Sequence, residues 1–360
     1  MLIDIITGSR GDILRVASLL DAIQQEQRKG VRLGYRFIYT GSDIDINLDK
    51  ELFNQLQISR PNIYLDVAKD SNATLAASAM VRYEKVISTN KPDFVLVTGR
   101  TSTALACAYV AKTNANILVG YLNSGISDSY NPGTEQINSK VLETIADYHF
   151  TGSHNANQLL RDEGISEDKL FIAGNTIADI VIKAGNKLLE PPLWKELNLR
   201  QKQYVLLILD DKPLHAAAYL KTMLAYVQKT YGDIPVIAIG GPDVDTIIEE
   251  QGIKAQNLYV VRRMGFLQLG FLLFNAKMVI TNSTTVIEQC VMYKDIDIID
   301  LSGQTDWLDT SYSNAETATI YSAIGKNAIR TGNIPYMWDG KSAERIVAVL
   351  RRLSINFTDT

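Results

Sequence analysis

Short apolar runs of strand length, each ended by a glycine or a small polar turn and each followed by a helical stretch, recur along the chain and restrict it to one fold class. The first is Leu2 to Ile6, closing at Gly8, after which Ile13, Leu14, Val16, Ala17, Leu20 and Ile23 return at helical spacing. Gly8 is expected to take backbone angles that other residues avoid, and Asp12 to cap the helix. Tyr35 to Thr40 ends at Gly41, and Leu75 to Ser88 is helical up to Lys91-Pro92. Asp93 to Thr98 runs into Gly99-Arg100 and a small-residue helix over Thr101 to Lys112; Ile117 to Leu122 is broken by Asn123-Ser124-Gly125. Strands that are apolar without alternation belong to parallel sheets covered on both faces. Ligands on such sheets bind beyond the carboxyl ends of the strands, so the turns at Gly8, Gly41, Gly99 and Asn123 should converge.

The polar stretch 126–140 reads as a surface loop running into a helix. Asp147 to Phe150 leads into a strand, a helix lies near Asn157 to Glu163, Phe171 to Thr176 is a strand with a glycine turn, and a helix continues to about Leu189. Glu190-Pro191-Pro192 and the charged residues up to Lys202 mark a passage between domains. The pattern then restarts with Tyr204 to Leu209, Pro235 to Ile239, Leu258 to Val261, Met278 to Thr281 and Asp295 to Leu301. The boundaries expected are residues 1–185 for an N-terminal Rossmann-like domain, 186–340 for a C-terminal one, and 341–360 for a final helix able to pack back on the first.

Two places suit an anion. A strand feeding a helix through Gly8 leaves backbone N–H groups and the positive helix end at the strand's edge, with Arg10 and Arg15 beside it. A tight turn with two solvated arginines explains the same residues. Asn282-Ser283-Thr284-Thr285 opens the helix after Met278 to Thr281, where the hydroxyls hold phosphate or simply cap the helix. No GxGxxG fingerprint is present. The net charge of -4 is spread through the 360 residues, so no basic stripe points to nucleic acid or an anionic membrane. Cys107 and Cys290 lie in apolar helical runs, as buried reduced thiols do, and no apolar run approaches the ~20 residues of a membrane span. No metal or cofactor is called for, and a cytoplasmic location is expected.

Several motifs in order resemble the non-hydrolysing UDP-N-acetylglucosamine 2-epimerases. Gly8-Ser9-Arg10-Gly11-Asp12-Ile13 resembles the family's GTRPEI, Thr98-Gly99-Arg100-Thr101 sits where it has GDT, and Glu135-Gln136-Ile137-Asn138 where it has EExN. Asp147 to Phe150, Asn157 to Leu160, Glu163-Gly164 and Gly174 to Asp179 follow its D-x-H-F, NL-x-x-EG and GNT-x-x-D segments, and Asn282 to Gln289 stands in for DSGGxQEE. The resemblance implies the glycosyltransferase-B architecture: two Rossmann-like domains with a nucleotide-sugar cleft between them, where Gly8 and Arg10 would face Ser283 and Thr284. It further implies a UDP-sugar ligand, a role in polysaccharide biosynthesis, and C2 epimerisation by elimination and return of UDP through an unsaturated sugar.

Departures from the family pattern fall on its acids. Its Asp after Gly is Arg100, the Glu of its EAG is Asn123, and the second Glu of EExN is Gln136. Neither amide accepts a proton as a base, and arginine stays charged. The family histidine falls near Asp210-Asp211-Lys212, its ERPE arginine at Trp307, its double glycine at Thr284-Thr285, and its ribose-holding Glu at Gln289. Arg10, Arg15 and Ser283 keep the expected contacts best. Acid-base candidates are therefore Glu135, Asp210, Asp211 and His215; nucleotide-sugar candidates are Gly8, Arg10, Arg15, Arg100, Asn123, Gln136, Ser283, Thr284, Thr285 and Gln289. Arg100 should contact a bound anion or pair with Asp128 or Glu135. Alternatives are a glycosyltransferase on the same scaffold or a non-catalytic binding or partner protein, and a homodimer is compatible with the sequence.

Overall fold

The computed structural model describes residues 1–42, 50–67, 71–126, 133–209, 227, 229, 231–240, 257–262, 264–293, 295–300, 328–330 and 334–356. Two compact units emerge, the first made of Met1–Lys183 with the chain from Pro335 onward, the second made mainly of Ala184–Thr305.

Unit 1 alternates strands and helices: β1 (Leu2–Thr7), α1 (Arg10–Arg28), β2 (Gly34–Tyr39), α2 (Lys50–Leu56), β3 (Ile63–Tyr64), α3 (Asn72–Thr89), β4 (Phe94–Thr98), α4 (Ser102–Ala115), β5 (Leu118–Ser124), α5 (Thr134–Ile145), β6 (Tyr148–Thr151), α6 (His154–Asp162), β7 (Leu170–Ile172) and α7 (Thr176–Ala184). Its sheet runs β3-β2-β1-β4-β5-β6-β7, every pair parallel. β1 and β4 are central and buried almost throughout, which is why they read as unbroken apolar runs. One face packs Ile6, Val95, Val97 and Val119 against Tyr83, Ala106, Cys107 and Val110 of the covering helices. Within β1, Asp4 accepts two bonds from Arg36, at 2.6 and 2.7 Å, and one from the Tyr83 hydroxyl at 2.8 Å, tying β1 to β2 and α3.

Unit 2 holds α8 (Leu193–Glu196), β8 (Val205–Ile208), β9 (Val236–Gly240), β10 (Leu258–Arg262), α9 (Phe266–Asn275), β11 (Met278–Thr281), α10 (Thr284–Val291), β12 (Asp297–Asp300) and β13 (Ala328–Arg330). Its sheet order is β10-β9-β8-β11-β12-β13, parallel except for β13. In both sheets the strand order reverses beside the unit's first strand, at β1/β4 and β8/β11, and the reversal opens a crevice at the carboxyl edge.

The final helix, α11 (Ser342–Asn356), returns to unit 1 and packs on α1. Asp179 of α7 receives the Ser342 and Ala343 amides at 3.1 and 2.8 Å, capping α11 from another part of the chain. The buried Trp338 indole donates to the Gly152 carbonyl at 2.8 Å. Cys107 and Cys290 are buried and free. No helix among the described residues is long and apolar enough to cross a membrane.

Local expectations are corrected at four points. The α1 N-cap is Ser9, whose Oγ accepts from the Asp12 amide at 3.2 Å, so Asp12 is the third residue of the helix. Gly8 is not at positive φ, and what it supplies is space, since a Cβ there would stand 2.6 Å from Thr101 Oγ1. β5 continues through Asn123 to Ser124 with an irregularity in its pairing, Asn123 taking φ 63°. α7 ends at Ala184 rather than near Leu189, because Gly185 takes φ 36° and breaks the helix.

Candidate functional site

The unit 1 site is built where the turns after β1, β4 and β5 meet the start of α5. Ser9 and Asp12 form an S-x-x-D cap, but the Asp12 carboxylate reaches past the cap residue to the Gly8 amide at 3.1 Å. A side chain at Gly99, which takes φ 77°, would overlap that carboxylate. Gly99 is thus required twice, for its backbone angle and for the room Asp12 occupies. Burial raises the Asp12 pKa, against the pull of Arg15, the Gly8 amide and the Ser9 hydroxyl, while the charge of Glu135 raises it further. Asp12, Arg15 and Glu135 therefore share one electrostatic neighbourhood.

Arg100 follows Gly99 on the same edge. Its side chain is only 10% exposed, and its Nη2 lies 3.6 Å from Oε2 of Glu135, whose side chain is 36% exposed. Of the two carboxylates proposed to pair with Arg100, Glu135 is the one found beside it, while Asp128 lies outside the described residues. Asn138 fixes α5 on this turn, donating from Nδ2 to the Arg100 carbonyl at 2.9 Å and to Ser102 Oγ at 3.3 Å. Glu135 and Gln136 occupy the first turn of α5, and Gln136 Oε1 is buried with no hydrogen-bond partner among the described residues. Tyr121 in the middle of β5 bonds Ser139 at 3.1 Å; burial pushes its hydroxyl pKa up while Arg100 pulls it down.

The turn after β5 is clamped from beneath. Glu143, 3% exposed, accepts the Gly125 amide at 3.1 Å and faces Lys140 at 3.4 Å, and burial raises its pKa. Ser124 Oγ lies 3.0 Å from His149 Nδ1. Burial, with the charge of Lys169, pushes the His149 pKa down to about 4. Asp12, Tyr121, Asn138, Glu143 and His149 were not singled out as site residues from sequence. The S-x-x-D spacing of Ser9 and Asp12 and the motif positions of Asn138 and His149 carried a usable signal, whereas Tyr121 and Glu143 lie in a strand and a helix with no motif to mark them.

In unit 2 the turn after β11 places Ser283 as N-cap of α10, with its amide bonded to Thr281 Oγ1 at 3.0 Å and no cap bond from its own side chain. The Ser283 hydroxyl therefore does not cap the helix. Thr284 and Thr285 form the first turn, and Gln289, 1% exposed, donates to the Thr285 carbonyl at 3.1 Å. The Gln289 carbonyl oxygen is buried with no partner among the described residues. Asp210, Asp211, His215 and Trp307 lie outside the described residues. Among the described residues no group of three or more His, Cys, Asp and Glu could hold a metal ion.

Two parallel-sheet Rossmann-like domains with polar clusters at their strand-order reversals define a protein of the glycosyltransferase-B architecture. Residues 25–351 match the family described as UDP-N-acetylglucosamine 2-epimerase, and the chain belongs to that family. A relative from Methanocaldococcus jannaschii, a UDP-N-acetylglucosamine 2-epimerase, is 27% identical over 97% of this chain and 99% of its own. The UDP-2,3-diacetamido-2,3-dideoxy-D-glucuronate 2-epimerase of Pseudomonas aeruginosa is 24% identical over 84% of each. The crystal structure of the Methanocaldococcus jannaschii UDP-GlcNAc 2-epimerase with UDP-GlcNAc and UDP shares the fold, with a TM-score of 0.79 at 24% identity over 97% of this chain and 99% of that one.

Proposed function

We propose that this protein binds a UDP-sugar and acts as a 2-epimerase on it. The observation that carries the reading is the family match over residues 25–351. These likenesses favour neither a glycosyltransferase nor a non-catalytic protein. In this reading the N-terminal turn of α10, with Ser283, Thr284 and Thr285, receives the diphosphate on its amides and positive helix end, with Gln289 one turn further in. The unit 1 edge, with Gly8, Arg10, Arg15, Arg100, Asn123 and Gln136, receives the sugar. Epimerisation takes the C2 proton while the C2–H electrons form the C1=C2 bond and the C1–O bond to UDP breaks; return of UDP and of a proton to the other face inverts C2. Glu135 is the proposed acid-base group among the described residues, with Asp210, Asp211 and His215 as further candidates. The proposed setting is the cytoplasm, and a homodimer is the proposed assembly.

The test is to incubate the protein with UDP-N-acetylglucosamine in deuterium oxide and follow the C2 proton by NMR, alongside melting curves with UDP. Binding to the folded state alone raises the melting temperature. Exchange at C2 should be far slower than in a family member with all its acids, since a lost acid or base costs roughly 10²- to 10⁴-fold. Glu135→Gln should remove the exchange that remains. No thermal response to UDP or any UDP-sugar would refute the reading.

A further inference from the structure

We propose that unit 1 holds a second binding site, at the β7 edge of its sheet, for a small aromatic carboxylate. β7 is the last strand of that sheet, so among the described residues no further strand covers it, and a cavity of about 520 Å³ lined by β7, α6 and α11 opens there. That size lies within the ~300–1,000 Å³ of small-molecule pockets. None of its lining residues belongs to the turns after β1, β4 and β5 that carry the candidate site. Its floor is apolar: Phe150 and Leu170 are 1% and 7% exposed, and the Phe150 and Phe171 rings stand 5.9 Å apart with 31° between their planes. A floor of this kind suits a planar ring.

The two helices supply the polar groups. Asn157 of α6 lines the cavity although only 3% of it is exposed. Its Oδ1 accepts from Thr151 Oγ1 at 2.6 Å, which fixes the carboxamide and leaves Nδ2 without a hydrogen-bond partner among the described residues. Leaving such a donor unmade is costly, and a ligand oxygen removes the cost. Three arginines line the cavity against one glutamate. Arg161 pairs with that Glu167, and Arg345 with Asp339 and the carbonyls of Ala173 and Met337, at 3.0 Å each. Arg352 of α11 is exposed and has no ion pair among the described residues. One guanidinium left over balances one negative charge, and its planar fork matches a carboxylate on two nitrogens. A phosphate monoester would bring a second charge beside Glu167 with no cation left for it. A ring for the apolar floor, a carboxylate for Arg352 and an oxygen for Asn157 together describe an aromatic carboxylate.

The experiment measures calorimetric affinities of the full chain for 2-naphthoate, its neutral counterpart 2-naphthamide and 2-naphthyl phosphate, with UDP as a competitor. The carboxylate should bind about fivefold more tightly than the amide, the size of an exposed charge pair. Arg352→Glu should abolish that preference. Ala348→Trp, which sets a large ring in the cavity from an exposed position of α11, should remove binding of both. Both variants should keep the wild-type melting temperature, and if Ala348→Trp melts early, Arg352→Glu alone decides. No binding of 2-naphthoate, equal affinity for the carboxylate and the amide, or a preference that survives Arg352→Glu overturns the inference. Tighter binding of 2-naphthyl phosphate overturns the assignment of a carboxylate, and displacement of 2-naphthoate by UDP overturns the assignment of a second site. The UDP-sugar reading is tested by UDP binding itself, so it stands or falls separately.

Discussion

Protonating His149 should loosen the strands that carry the unit 1 site. The imidazole is 1% exposed on β6, with Nδ1 3.0 Å from Ser124 Oγ, and its pKa is pushed down to about 4 by burial. In the unfolded chain a histidine titrates near 6.5. Between those values the unfolded chain holds the proton and the folded one does not, so stability is full above about pH 6.5 and is lost as pH falls toward 4. At about 1.4 kcal/mol per pH unit the loss is about 3 kcal/mol. Asp4, Asp12, Glu143 and Asp179 act in the opposite sense. Burial raises their pKa values, so each holds its proton longer in the fold and contributes less as pH rises through the carboxylate range. The raw pH profile therefore mixes both signs, and the histidine must be isolated by difference. Amide exchange of peptides covering β5 and β6, measured at matched pH in the wild type and in His149→Gln, provides that difference. At pH 7 the variant should be less stable by about 1 kcal/mol for the altered Ser124 bond. The gap should close and reverse as pH approaches 4. Identical pH dependence in the two proteins would refute the reasoning.

Two further substitutions test how the site and the last helix are held. Gly99→Ala forces φ 77° on a residue with a Cβ and drives that Cβ into the Asp12 carboxylate, so it should cost about 2 kcal/mol or more in chemical denaturation and weaken UDP-sugar binding. Asp179→Ala removes the carboxylate that receives the Ser342 and Ala343 amides; α11 should lose about 1–2 kcal/mol of protection in amide exchange while unit 2 is unchanged.

The sequence by itself determined the βα alternation, the two parallel sheets and the turns that carry the candidate residues. Each of these is a local property: the unbroken apolar run of β4, the helical recurrence of Ile13, Val16 and Leu20, and the break at Gly99 are legible from near neighbours alone. Motif order within the family resemblance located Glu135 and Arg100, and listed Glu135 as one of two partners for Arg100. Only the tertiary structure set the Arg100–Glu135 distance, because residues 35 positions apart meet only after β4 and α5 have packed. The same holds for Asp12, whose acid looked like a helix cap until the close approach of Gly99 showed a buried carboxylate filling the space a side chain would take. It holds most plainly for Asp179, which caps a helix beginning 163 residues later. Periodicity records which face of an element is buried, but it carries no record of what lies across from that face. Partners, burial of individual charges and the resulting pKa shifts are fixed by long-range packing and strand order, and so they become visible only in the folded chain.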